Sequence, residues 1–85
     1  MLGLLTALLL AVMPAADFTA EGLKALDSKD YTAAVQYFSK AVEADPKDYA
    51  AQFHLAFANS LLGKDAEAIS GYRTVLELKP GLYEA

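Results

Sequence analysis

Apolar residues between positions 31 and 46 gather on a single helical face. Tyr31, Ala34, Val35, Phe38, Ala41 and Val42 follow one another at steps of three, one, three, three and one, the period of a one-sided helix rather than a strand. Gln36, Ser39, Lys40 and Glu43 take the other side. Asp30 stands where a carboxylate oxygen can accept from a free N–H of the first turn. Asp45-Pro46 closes the run, because proline offers no N–H and disfavours helical geometry in the residue before it. Moving on by thirty-four residues brings the pattern back: Ala34 becomes Ala68, Val35 becomes Ile69, Phe38 becomes Tyr72, Val42 becomes Leu76 and Pro46 becomes Pro80.

The other segments read as helices too. From Asp17 to Asp27, Phe18, Gly22, Ala25 and Leu26 make one stripe with Leu23 beside it, and Asp17 is the predicted N-cap. Glycine inside a helix costs about 1 kcal/mol against alanine, so Gly22 implies close approach by a bulky neighbour. Ser28-Lys29-Asp30 is a tight turn, which forces the first two helices into an antiparallel hairpin. A third helix is expected from Tyr49 to Leu62, with Phe53, Phe57 and Leu61 on one line and Leu55, Ala58 and Leu62 on another. A helix apolar most of the way round has neighbours on several sides. Gly63 is the expected left-handed cap. The fourth helix, Asp65 to Leu78, is expected to bury Ala68, Ile69, Tyr72, Val75 and Leu76 before Pro80-Gly81 stops it. The pattern therefore predicts an all-α fold of stacked antiparallel hairpins.

At this point the residues resemble a known family, the tetratricopeptide repeat, whose unit is a thirty-four-residue helix-turn-helix. Phe18, Gly22, Tyr31, Ala34, Phe38, Ala41 and Pro46 carry the resemblance in a first repeat at 17–48; Leu55, Ala56, Gly63, Ala68, Tyr72 and Pro80 carry it in a second at 49–82. Tyr83 and Ala85 stand thirty-four places after Tyr49 and Ala51, so residues 83–85 read as the start of a third. Three positions depart from the family pattern: Glu21 and Gln52 replace large apolar or aromatic residues, and Asp65 replaces the aromatic seen as Tyr31. The resemblance implies a right-handed superhelical stack whose first helices line a concave groove. Projected here, the groove takes Thr19, Leu23 and Leu26 from the first repeat and Phe53, Phe57, Ser60 and Leu61 from the second. Some members clamp a peptide's terminal carboxylate with lysine and asparagine from these helices. The matching places are Thr19, Leu23 and His54, which are unsuited to that work.

Composition narrows the function further. Seven Lys and Arg against eleven Asp and Glu leave a net charge of -4, with no basic cluster to grip nucleic-acid phosphates. All eighteen charged residues lie after position 16. Residues 1–16 are a hydrophobic leader, broken by Pro14. Its apolar block from Leu2 to Met13 is shorter than the about 20 residues a bilayer crossing needs, but suits the centre of an export signal. An uncleaved membrane-associated leader and a hydrophobic helix covering the first repeat are the alternatives. The chain has no cysteine and a single histidine, His54, so thiol chemistry is excluded and His54 reads as structural or solvent-facing. No cofactor, metal, small-molecule substrate or catalytic residue is expected.

Together these features predict a non-catalytic protein- or peptide-binding scaffold, exported if the leader is processed and otherwise membrane-associated or cytoplasmic. Leu23, Leu26, Phe53, Phe57 and Leu61 are the candidate partner contacts on the concave face, facing a helical or hydrophobic segment. Phe53 and Phe57 could equally be packed by a third repeat. The alternative is an arm of a larger enzyme or transport assembly, or a self-association surface at Val75, Leu76 and Leu82.

Overall fold

Four helices follow in the order α1 (Ala15–Asp27), α2 (Tyr31–Ala44), α3 (Tyr49–Leu61) and α4 (Asp65–Leu78). The computed structural model describes residues 14–81, and among them no strand occurs. Residues 1–13 of the leader, Leu82 and the proposed third repeat at 83–85 lie outside the described residues, while Ala15 and Ala16, the last two residues of the expected leader, form the start of α1. Every helix boundary recurs thirty-four positions on: Ala15 matches Tyr49, Asp27 matches Leu61, Tyr31 matches Asp65 and Ala44 matches Leu78. α1 pairs with α2 and α3 with α4, and α2 lies against α3, so two hairpins stack through their inner helices.

Local chemistry sets the ends. Asp30 caps α2 by accepting from the N–H of Ala33, as expected. Asp48 caps α3, accepting from the N–H groups of Ala50 and Ala51. The expected cap of α1 at Asp17 is corrected. That helix begins two residues earlier, behind Pro14, whose carbonyl accepts from Asp17 at 3.0 Å. Proline fixes an extended entry and Ala15-Ala16 are good helix formers, so the helix need not wait for an aspartate. α3 ends at Leu61 rather than Leu62, which becomes its C-cap. Gly63 takes the left-handed conformation at φ 76°. The same place in the first turn is occupied by Lys29, also left-handed at φ 62°.

Phe38 is the centre of the core. It is fully buried, in a cluster with Ala25, Ala34 and Ala58 against which Leu55 and Leu26 pack. Burying such a ring contributes about 1.5–3 kcal/mol. Gly22 makes this possible: a Cβ there would lie 2.5 Å from the Phe38 ring. The second hairpin crosses as closely, but with the glycine on the other helix. A Cβ on Gly71 of α4 would come within 2.8 Å of the Ala56 side chain on α3.

On α4 the expected burial holds for Ala68 and Val75 and fails for two residues. Ile69 is 57% exposed and Leu76 43% exposed. Their counterparts Val35 and Val42 are half-buried on α2, the helix that α3 covers; among the described residues no helix follows α4 to cover Ile69 and Leu76. Tyr72, also expected to be buried, is half-buried.

Candidate functional site

α3 touches a neighbour on each side, α2 and α4, and its apolar residues divide accordingly. Ala51, Ala56 and Ala58 are buried. His54 stacks on the Phe38 ring at 5.1 Å between centroids, with planes 20° apart. That fits the structural reading of the histidine. Phe57 and Leu61, one helical turn apart, face outward, each 40% exposed. Leu23, at the position of Phe57 one repeat earlier, is 44% exposed. Large apolar side chains repeated at the same place in both hairpins and left in water are candidates for contact with another molecule.

The remaining candidates sit differently. Leu26 is half-buried and packs against the core cluster. Phe53 is half-buried between two rings, edge-on to His54 at 6.3 Å and tilted against Tyr72 at 5.5 Å. It is a packing residue at the border of the exposed strip. The hydroxyls of the two polar groove positions are turned inward on their own helices: Thr19 donates to the carbonyl of Ala15 at 3.2 Å, and Ser60 to that of Phe57 at 2.6 Å. Their hydroxyl protons are thus committed to their own helices. The exposed apolar residues Leu23, Phe57 and Leu61 therefore have no free hydroxyl donor at the neighbouring groove positions Thr19 and Ser60. Their nearest charges in sequence on α1 are Glu21 and Lys24, paired at 3.4 Å on the surface, where such a pair contributes little to stability.

The expected self-association surface also changes. Val75 is fully buried and so is withdrawn from any surface, Leu76 is available, and Leu82 lies outside the described residues.

Sequence reading overlooked Asp48. Its signal was available: an aspartate followed directly by Tyr-Ala-Ala, with a proline two places before it, is as strong a start as Asp30.

Comparison with known proteins agrees with the geometry. A tetratricopeptide-repeat model matches residues 25–84. Protein STIP1 homolog of Dictyostelium discoideum is 33% identical over 66 residues, a stretch that spans 78% of this chain and 12% of that relative. With helix boundaries recurring every thirty-four residues and a family match that runs from the end of α1 through α4, this chain belongs to the tetratricopeptide-repeat family.

Proposed function

We propose that the chain is a non-catalytic scaffold module that holds a hydrophobic segment of a partner protein against Leu23, Phe57 and Leu61, with Leu26 and Phe53 supporting the strip from behind. Membership of the family suggests a protein-interaction scaffold. The observation that carries the finer reading is the repeated exposure of a large apolar residue at one register position, Leu23 in the first hairpin and Phe57 in the second. Preformed hairpins hold these side chains in place before binding, so little ordering cost falls on the scaffold. A photo-crosslinking amino acid placed in turn at 23, 57 and 61 in the native host should give the same adduct, while one at Lys47 should give none. Phe57→Asp should abolish capture with helicity intact; undiminished capture by the folded variant removes Phe57 from the site.

Export through residues 1–16 is part of the proposal. It rests on an uncharged apolar block of suitable length. Intact-mass measurement of the protein from its host tests it: a mature chain starting at Ala16 or Asp17 supports export, and an intact Met1 or Leu2 terminus in the cell interior refutes it.

A second reading rests on the exposed face of α4 at Ile69 and Leu76. The module would be an arm of a larger assembly, its open end covered by another helix or by a second copy. Light scattering at two concentrations distinguishes the copy, since a strict monomer at both rules out self-pairing.

A further inference from the structure

On the side of α3 opposite Phe57 and Leu61, a pocket of about 450 Å³ opens to solvent between α3 and α4. Gln52, Leu55 and Asn59 line it from α3; Glu67, Ser70 and Gly71 line it from α4. Spacings of three and four residues set these side chains on one helical face, about half a turn from Phe57. The pocket is a shallow depression, wide open to solvent, rather than an enclosed cleft.

The first hairpin explains why the space is there. Thirty-four residues earlier, Gln52 and Gly71 are Phe18 and Tyr37. Phe18 is half-buried beneath the Lys40 ammonium, which lies 5.9 Å from its ring, and Tyr37 packs against the core. In the second hairpin both rings are gone. The cation is gone as well, since Thr74 stands in place of Lys40, while a carboxylate is kept but changes helix: Leu55 replaces Glu21 on the leading helix and Glu67 replaces Ala33 on the returning one. Asn59 replaces Ala25. It is only 8% exposed, yet among the described residues no side-chain hydrogen bond engages its amide. No fully enclosed polar atom is left without a partner, so the amide keeps some contact with solvent, and Asn59 lines the pocket.

At these places the first hairpin carries two flat rings, a cation and a carboxylate, and the second carries a carboxylate without the rings or the cation. We infer that the pocket between α3 and α4 receives an arginine side chain of a partner protein. A guanidinium has the flat shape of the missing rings and brings the missing charge. Its donors, arranged in a rigid fork, match the Glu67 carboxylate, the Asn59 amide oxygen and the Ser70 hydroxyl, with Leu55 and Gly71 against its face. Lysine brings a point charge with no flat face, and an anion is repelled by Glu67. This site is separate from the apolar strip and stands or falls independently of it.

The test is an amide-resolved NMR titration of the full chain with N-acetyl-arginine-N-methylamide, run beside the blocked lysine and blocked tyrosine amides. Saturable shifts at Asn59, Glu67, Ser70 and Gly71 are expected with the arginine probe, at an affinity about tenfold above that for lysine. Glu67→Gln, at an exposed position, should weaken the arginine probe about tenfold. Gln52→Phe, which restores the ring found at Phe18, should abolish the shifts while the remaining spectrum stays folded. Equal response to lysine, stronger response to tyrosine, no saturable response, or undiminished binding by Glu67→Gln would each overturn the assignment. Should Gln52→Phe misfold, the Glu67→Gln result decides alone.

Discussion

The two hairpins share their helix boundaries and differ in how they bring the helices together. In the first, glycine sits on the leading helix, and the Phe38 ring drops over Gly22 into full burial. In the second, glycine sits on the returning helix, Gly71 meeting Ala56. With a methyl group now in the place of Gly22, the aromatic counterpart of Phe38, Tyr72, remains half-buried and leans on Phe53 instead. A close crossing needs one missing side chain, and either helix can supply it. Which helix does so decides whether the adjoining space is filled from within or left as a pocket.

The largest asymmetry should appear at the rings. Phe38→Ala should destabilise by about 3–5 kcal/mol, enough to unfold a small domain, whereas Tyr72→Ala should cost about half as much because half-burial forfeits part of the transfer energy. Urea denaturation followed by circular dichroism measures both, and equal losses would show that the hairpins are not differently packed.

The crossing itself is open to exchange. Gly71→Ala adds a methyl that must push against Ala56, an overpacking cost of about 1–3 kcal/mol offset by about 1 kcal/mol of helix propensity. Adding Ala56→Gly moves the glycine to the leading helix, as in the first hairpin, and should recover most of the clash. A double-mutant cycle reads this directly; strict additivity of the two changes would contradict the contact.

Smaller effects are expected at the ends. The two helices that stack on each other, α2 and α3, each carry an aspartate cap, while α1 and α4 have no side-chain cap. Asp48→Ala and Asp30→Ala should therefore each cost about 1 kcal/mol. Asp65, inside the first turn of α4, should cost less when changed to alanine, and a loss as large as that at Asp48 would disprove the distinction. At the hairpin turns, Lys29→Gly places in the first turn the residue the second already has. It should raise stability by about 0.5–1 kcal/mol by removing the left-handed penalty, visible as a higher urea midpoint at unchanged slope.

Much of this fold is legible in the sequence. The α2 stripe is one-sided, so period alone placed Ala34, Phe38 and Ala41 in the core, and Gly22 announced a close crossing because glycine is otherwise unfavourable there. Ile69 and Leu76 were misjudged because period reports which face is apolar and says nothing of whether a neighbour covers it. The candidate strip was legible only in part. Phe53 and Phe57 share a helical face, and spacing could not show that Phe53 would find Tyr72 and His54 while Phe57 would find water. The pocket left a fainter trace, the absence of a ring at Gln52, which acquires meaning only beside Gly71 on another helix.

What the chain alone determined is therefore its repeat: the thirty-four-residue period, the helix ends at Asp30, Pro46, Gly63 and Pro80, and the inner apolar face. These follow from backbone and side-chain properties that act within a few residues of one another. Exposure, ring partners and the space between α3 and α4 were decided by the stacking of the hairpins, because those quantities depend on groups far apart in sequence that meet only when the helices pack.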